Sequence, residues 1–136
     1  GAEARGSAAK SEVIISDEII GFPMVRKCDI LVAMSQSALD KHLKDLKENC
    51  FLLVDRDMVQ QVPSVIAKVF KVAATKTAET ELKSSIYANV VMLGALTTIT
   101  GIVSKEAIEK AIIDSVSEEA KEDNLNGLKK GFELAK

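Results

Sequence analysis

Cys28-Asp-Ile-Leu-Val-Ala-Met-Ser-Gln-Ser-Ala-Leu-Asp-Lys-His-Leu-Lys-Asp-Leu-Lys-Glu-Asn-Cys-Phe-Leu-Leu-Val54 is the stretch that decides the fold. It begins and ends on unbroken apolar runs, Asp29–Met34 and Phe51–Val54, the pattern of strands covered on both faces. Between them Ser37 is placed to cap a helix, with Asp40 three residues on as an acidic capping-box analogue. Leu39, Leu43 and Leu46 recur at helical spacing as one apolar stripe, and Lys41, Lys44 and Lys47 lie off it. Asn49 is predicted to end that helix in the left-handed conformation. Strand, amphipathic helix and strand within about 30 residues make a βαβ unit, so the two strands are predicted to be parallel and the crossover right-handed.

Downstream, Pro63 argues against a central strand over residues 58–68, and Val69–Ala74 reads as the next strand. A short helix over Ala78–Leu82 and a main helix over about Ser84–Thr100 follow. Gly94 inside the main helix costs about 1 kcal/mol against Ala, so close packing is expected there. Gly101 is the expected terminator and Ser104 the cap of the next helix, with Glu106 in its first turn. A last helix spans roughly Glu118–Leu134, weakened by Gly127 and Gly131. Upstream, the β-branched residues 12–16 read as a strand. The order is thus β, βαβ, β and then three helices. It predicts an α/β chain, a three-layer α/β/α Rossmann-like domain with a mostly parallel sheet and extra C-terminal helices.

The 136 residues suffice for one domain with a sizeable core. With 47% hydrophobic residues but only 4% aromatic ones and no Trp, that core must be aliphatic. A formal net charge of −2 argues against a nucleic-acid surface, which needs a basic excess. Ser84–Ser104 carries no charge and has the length of a membrane span, but its hydroxyls, amide and glycines make it too polar for one. A helix buried against the sheet or another subunit is expected instead. Cys28 and Cys50 lack C-x-x-C spacing and read as small buried thiols of a reducing cytoplasm.

In an open parallel sheet, ligands bind at the carboxyl ends of the strands. That rule singles out Ser35, Gln36, Asp55 and Thr75. Asp55 and Asp57 read as turn carboxylates that bond nearby backbone N–H groups, because two carboxylates in one turn fall short of a hard cation's six oxygens. His42, the single histidine, reads as a partly exposed helix-surface residue. Neither a P-loop nor a G-x-G-x-x-G fingerprint is present, and no catalytic residue or metal ligand is assigned. The opening loop Gly1–Ser7 differs in kind. Gly1 and Gly6 permit close backbone approach, and Arg5 offers a donor fork for carboxylate or phosphate, although Glu3 can hold that guanidinium as a plain ion pair. Its composition suits both a structural loop and an anion-recognition loop.

Gly1-Ala-Glu-Ala-Arg-Gly-Ser7 running into Glu12-Val-Ile-Ile-Ser16 resembles the G-P-E-A-R-G-G junction of the gamma subunit, or gamma-type domain, of 2-oxoacid:ferredoxin oxidoreductases. Cys28–Gln36, Leu53–Asp55, Asn89–Leu96 and Thr100–Val103 resemble successive blocks of the same pattern, over essentially the whole chain. Ala2 stands where the family's proline is usual, and Ser7 where its second glycine is. Glu-Ala-Arg followed by Ala-Met-Ser-Gln is more similar to the 2-oxoglutarate type than to the pyruvate type. The resemblance implies one gamma-type domain over residues 1–136, without the family's first strand–loop–helix unit.

It further implies a cytoplasmic complex that oxidatively decarboxylates a 2-oxoacid to acyl-CoA and passes two electrons to ferredoxin or a similar acceptor. Thiamine diphosphate, Mg, iron–sulfur clusters and CoA act in the assembled complex, held mainly by other subunits, and none is bound by this chain alone. Gly1, Glu3, Arg5, Gly6 and Ser7 are then expected at the substrate or CoA cleft or at a subunit interface. The competing expectation is a non-catalytic α/β interaction module that docks a partner through its C-terminal helices. No nucleic-acid partner and no membrane span are expected.

Overall fold

The computed structural model describes residues 10–21 and 27–135. Its elements in chain order are β1 (Cys28–Ala33), α1 (Gln36–His42), β2 (Leu46–Asp55), β3 (Ala67–Val72), α2 (Ala74–Glu81), α3 (Ala88–Thr100), α4 (Lys105–Ser115) and α5 (Lys121–Leu134). Single 3-10 turns at Leu43–Asp45, Ser85–Tyr87 and Glu118–Ala120 link them.

The three strands lie in the order β1-β2-β3, and both pairings are parallel, as the βαβ reading requires. Alternation then sorts side chains to the two faces. Leu31 and Ala33 of β1 with Leu52 and Val54 of β2 meet Leu39 of α1 and Val59 of the following connection on one face. Ile30, Val32, Phe51, Leu53 and Phe70 meet α2 and α3 on the other, against Ala74, Ala78, Val91 and Ala95. Beyond α3, a third cluster of Val90, Leu128 and Phe132 packs α5 behind it, with Ile108 and Ile112 of α4 at its margin.

α1 starts earlier and stops sooner than its leucine stripe suggests. Ser35, not Ser37, is the cap, its Oγ accepting from the Ala38 N–H at 3.2 Å. Only Leu39 of the stripe is fully buried, and Leu46 already belongs to β2. Asn49 does adopt φ +63°, but inside β2. It sits where the ladder is irregular: residues 28 and 30 of β1 pair with 46 and 51 of β2, so two steps on one strand face five on the other. The Asn49 N–H donates to the Ile66 carbonyl at 2.7 Å and helps set where β3 starts.

β3 is displaced to 67–72 and α2 begins at Ala74 rather than Ala78; α3, α4 and α5 are the three further helices expected after it. Residues 12–16 form no strand. Val13 is 74% and Ile15 62% exposed, because β-branched propensity stabilises a strand only once a ladder partner is present, and none lies beside them among the described residues.

The helical half follows expectation closely. Gly101 ends α3 in the left-handed conformation, and Ser104 Oγ caps α4 through the Ala107 N–H at 3.1 Å. Gly94 and Gly131 face each other where α3 crosses α5. A Cβ added to Gly94 would come 3.0 Å from the Gly131 Cα, and one added to Gly131 would come 2.8 Å from the Gly94 Cα. Gly131 is therefore the residue that lets α5 approach, more than a weak point in it. Among the described residues no helix is long and apolar enough to cross a membrane, and the uncharged Ser84–Ser104 stretch is divided between a turn, α3 and the Gly101 terminus.

Candidate functional site

The carboxyl ends of the strands bring together the four residues singled out by position, and their side chains bond almost wholly within the chain. Asp55, the last residue of β2, is fully buried. Its Oδ1 accepts from the Asp57 N–H at 3.0 Å and the Met58 N–H at 3.2 Å, the turn chemistry expected of it. Its Oδ2 accepts from the Thr75 N–H at 2.9 Å and the Thr75 hydroxyl at 2.6 Å. Four donors satisfy a carboxylate that would otherwise be costly to bury.

The bond to Thr75 also explains where α2 begins. Ala73 occupies the N-cap position and has no side-chain oxygen to offer. Asp55 supplies that oxygen from the neighbouring strand, and its charge opposes the positive end of the helix.

Gln36 is equally committed. Its Oε1 accepts from the N–H groups of Gln60 and Gln61, both at 2.9 Å. Its Nε2 donates to the Gln61 carbonyl at 2.8 Å and to Asp40 Oδ1 at 3.0 Å. The connection between β2 and β3 is thus pinned by Asp55 at its start and by Gln36 five residues on. Gln36, Met58, Gln60 and Gln61 line an open depression of about 240 Å³ beside it. Position along the strands found Gln36 but not the loop residues, whose contribution is made through backbone groups that no side-chain pattern reports. Ser35 is occupied as the α1 cap.

Other candidates stay apart from this cluster. His42 Nδ1 lies 3.7 Å from Asp45 Oδ2 on the surface of α1, and Arg56 pairs with Asp57 at 3.6 Å. Cys28 and Cys50 are free and, contrary to expectation, partly exposed, because they sit towards the sheet's amino-terminal margin rather than in its centre. Partial burial, reinforced by the Asp45 carboxylate, raises the Cys28 thiol above its ordinary value and favours the less reactive neutral form. Among the described residues, no three His, Cys, Asp or Glu side chains converge as metal ligands would. The Gly1–Ser7 loop, including Glu3, Arg5 and Gly6, lies outside the described residues.

The sequence pattern of the family described as pyruvate ferredoxin/flavodoxin oxidoreductase matches residues 1–134. The chain belongs to that family. It is 54% identical over 138 residues to 2-oxoglutarate synthase subunit KorC of Methanocaldococcus jannaschii, an alignment covering 100% of this chain and 74% of that one. Among solved structures it resembles the keto/oxoacid ferredoxin oxidoreductase gamma subunit of Geobacter sulfurreducens, with a TM-score of 0.77 and 42% identity over 79% of this chain and 64% of the other. It also resembles a 2-oxoglutarate:ferredoxin oxidoreductase of Magnetococcus marinus solved with 2-oxoglutarate, coenzyme A and succinyl-CoA bound, with a TM-score of 0.68 and 25% identity. That match covers 79% of this chain but only 19% of the Magnetococcus one, which is a far longer polypeptide. The α/β fold class expected from the order of strands and helices is the one shared with the Geobacter gamma subunit structure.

Proposed function

We propose that this chain is the gamma-type subunit of a cytoplasmic 2-oxoglutarate:ferredoxin oxidoreductase. That complex decarboxylates the 2-oxoacid, transfers the acyl group to CoA and passes two electrons to ferredoxin or a similar acceptor. The observation that carries this reading is the 54% identity, across the full chain, to a protein named as a 2-oxoglutarate synthase subunit.

Thiamine diphosphate, magnesium and iron–sulfur clusters belong on this reading to other subunits, and among the described residues no three His, Cys, Asp or Glu side chains converge on a metal. A cluster takes four thiolates, against the two cysteines here. Among the described residues the one fully buried carboxylate, Asp55, has both oxygens engaged by the chain itself. The chain's own contribution is assigned to the loop Gly1–Ser7, with Arg5 directed at the carboxylate or phosphate of substrate or CoA and Glu3, Gly6 and Ser7 shaping its backbone.

Co-expression with the remaining subunits tests both parts. The purified assembly should reduce ferredoxin in a CoA-dependent way with 2-oxoglutarate and turn over pyruvate more slowly. Faster pyruvate turnover would remove the substrate assignment. Failure to co-purify would leave the interaction-module reading. Arg5→Ala should lower turnover and weaken the response to CoA while the circular dichroism of the chain stays unchanged, and an unaltered CoA response would remove Arg5 from the site.

A further inference from the structure

The connections that leave β2 and β3 part to opposite faces of the sheet. The segment after β2 packs Val59, Val62 and Val65 against the α1 face, whereas β3 leads directly into α2, whose Ala74 and Ala78 pack on the other face. Such a divergence opens a crevice at the carboxyl ends of two adjacent strands, where folds of this class receive an anionic ligand on a helix N-terminus. Here the crevice lies between Asp55 and the first turn of α2. It is already filled.

We propose that the Asp55 carboxylate is a built-in anion that closes this crevice against external phosphate-bearing ligands. The geometry is that of a bound anion. One oxygen accepts from the Thr75 N–H and hydroxyl at the start of an eight-residue helix, and the other accepts from the Asp57 and Met58 N–H groups of the adjoining turn. Nothing of the carboxylate is exposed. A phosphate entering the same place would meet a negative charge already there and donors already used.

This inference goes beyond the subunit reading and does not depend on it. It limits what that reading can assign to the sheet: Asp55 and Thr75 position the strap after β2 and the start of α2, and CoA phosphates are met elsewhere.

Hydrogen exchange of the full chain, alone and in its complex, tests the proposal. Peptides spanning residues 56–59 and 73–77 should exchange at the same rate with and without inorganic phosphate or CoA. In Asp55→Ala the same peptides should exchange about tenfold faster or more, since four donors lose the carboxylate that accepts from them, and sodium formate but not sodium chloride should restore their protection. Protection of either peptide by phosphate or CoA in the unaltered chain would overturn the proposal. So would a failure of formate to restore protection in the variant. If Asp55→Ala does not accumulate, the unaltered chain decides the matter on its own.

Discussion

The carboxyl end of β2 and the crossing of α3 with α5 are both held closely, by opposite means. At the first, a buried charge is neutralised by four donors drawn from two segments separated in sequence by some twenty residues. At the second, no polar group is needed, and two glycines bring backbone against backbone while Val90, Leu128 and Phe132 close around them. The difference governs how each can fail. A polar latch fails when one member is removed, because its partners are left buried and unpaired. A glycine seam fails when one atom is added, because neither backbone can move aside alone.

The largest effect should come from Asp55→Ala. It strands the Thr75 N–H and hydroxyl and the Asp57 and Met58 N–H groups, and a loss of about 3–5 kcal/mol is expected, the scale of breaking one partner out of a buried charged network. In urea the transition midpoint should fall with its slope unchanged. Thr75→Val keeps the backbone donor and loses only the hydroxyl, so it should cost about 1 kcal/mol. Equal costs for the two would mean that Asp55 does not tie the two segments together.

At the seam, Gly131→Ala places its new methyl against the Val91 carbonyl and 2.9 Å from the Ala95 backbone nitrogen. Overpacking of about 1–3 kcal/mol there should outweigh the gain of about 1 kcal/mol that alanine brings to a helix interior. Gly127→Ala is the control. Its nearest neighbour, 2.6 Å away, is the Val90 Cγ1, and the next, at 3.4 Å, is the Leu82 Cδ1. A buried valine methyl yields less readily than the end of a long side chain but more readily than backbone, so this change should cost less than Gly131→Ala. Thermal unfolding of the pair ranks them, and the reverse order would show that the seam is not set by backbone contact.

The two regions also differ in how far the sequence announces them. Gly94 declares itself, since a glycine inside an apolar helix calls for a reason, and Gly101 and Ser104 mark helix ends by rules that need only neighbouring residues. The βαβ unit declares itself through two unbroken apolar runs. The latch does not. Ser35, Gln36, Asp55 and Thr75 are legible as strand-end positions, but nothing local says that Asp55 caps the helix at Ala74 in place of Ala73, which is why α2 reads four residues late. Leu46-Lys-Glu-Asn49 continues a helical stripe on paper, and only pairing with β1 and the bond from Asn49 to Ile66 make it strand. Residues 12–16 show the converse, a strand-forming composition with no ladder beside it among the described residues. What remains unreadable in each case is a partner distant in sequence.

The smallest expected effect probes a polar tie between the same two helical segments. Tyr87, just before α3, donates from its hydroxyl to Asp123 Oδ2 in the first turn of α5 at 3.1 Å. It is the only tyrosine in a chain without tryptophan, so tyrosinate absorbance reports it without interference. Its pKa is raised, first by the hydrogen bond to Asp123, then by desolvation and by the carboxylate's charge. The protonated phenol is the form that holds the bond. Whatever stability the bond gives is therefore complete below the ordinary tyrosine value of about 10 and is lost as pH rises through the folded-state value above it. Asp123→Ala should lower the titration midpoint towards the ordinary tyrosine value and leave the unfolding midpoint near neutral pH almost unmoved, as expected of an exposed tie. A midpoint unchanged by the substitution would mean that apolar packing alone joins the start of α3 to α5, which would make the contrast with the Asp55 latch sharper still.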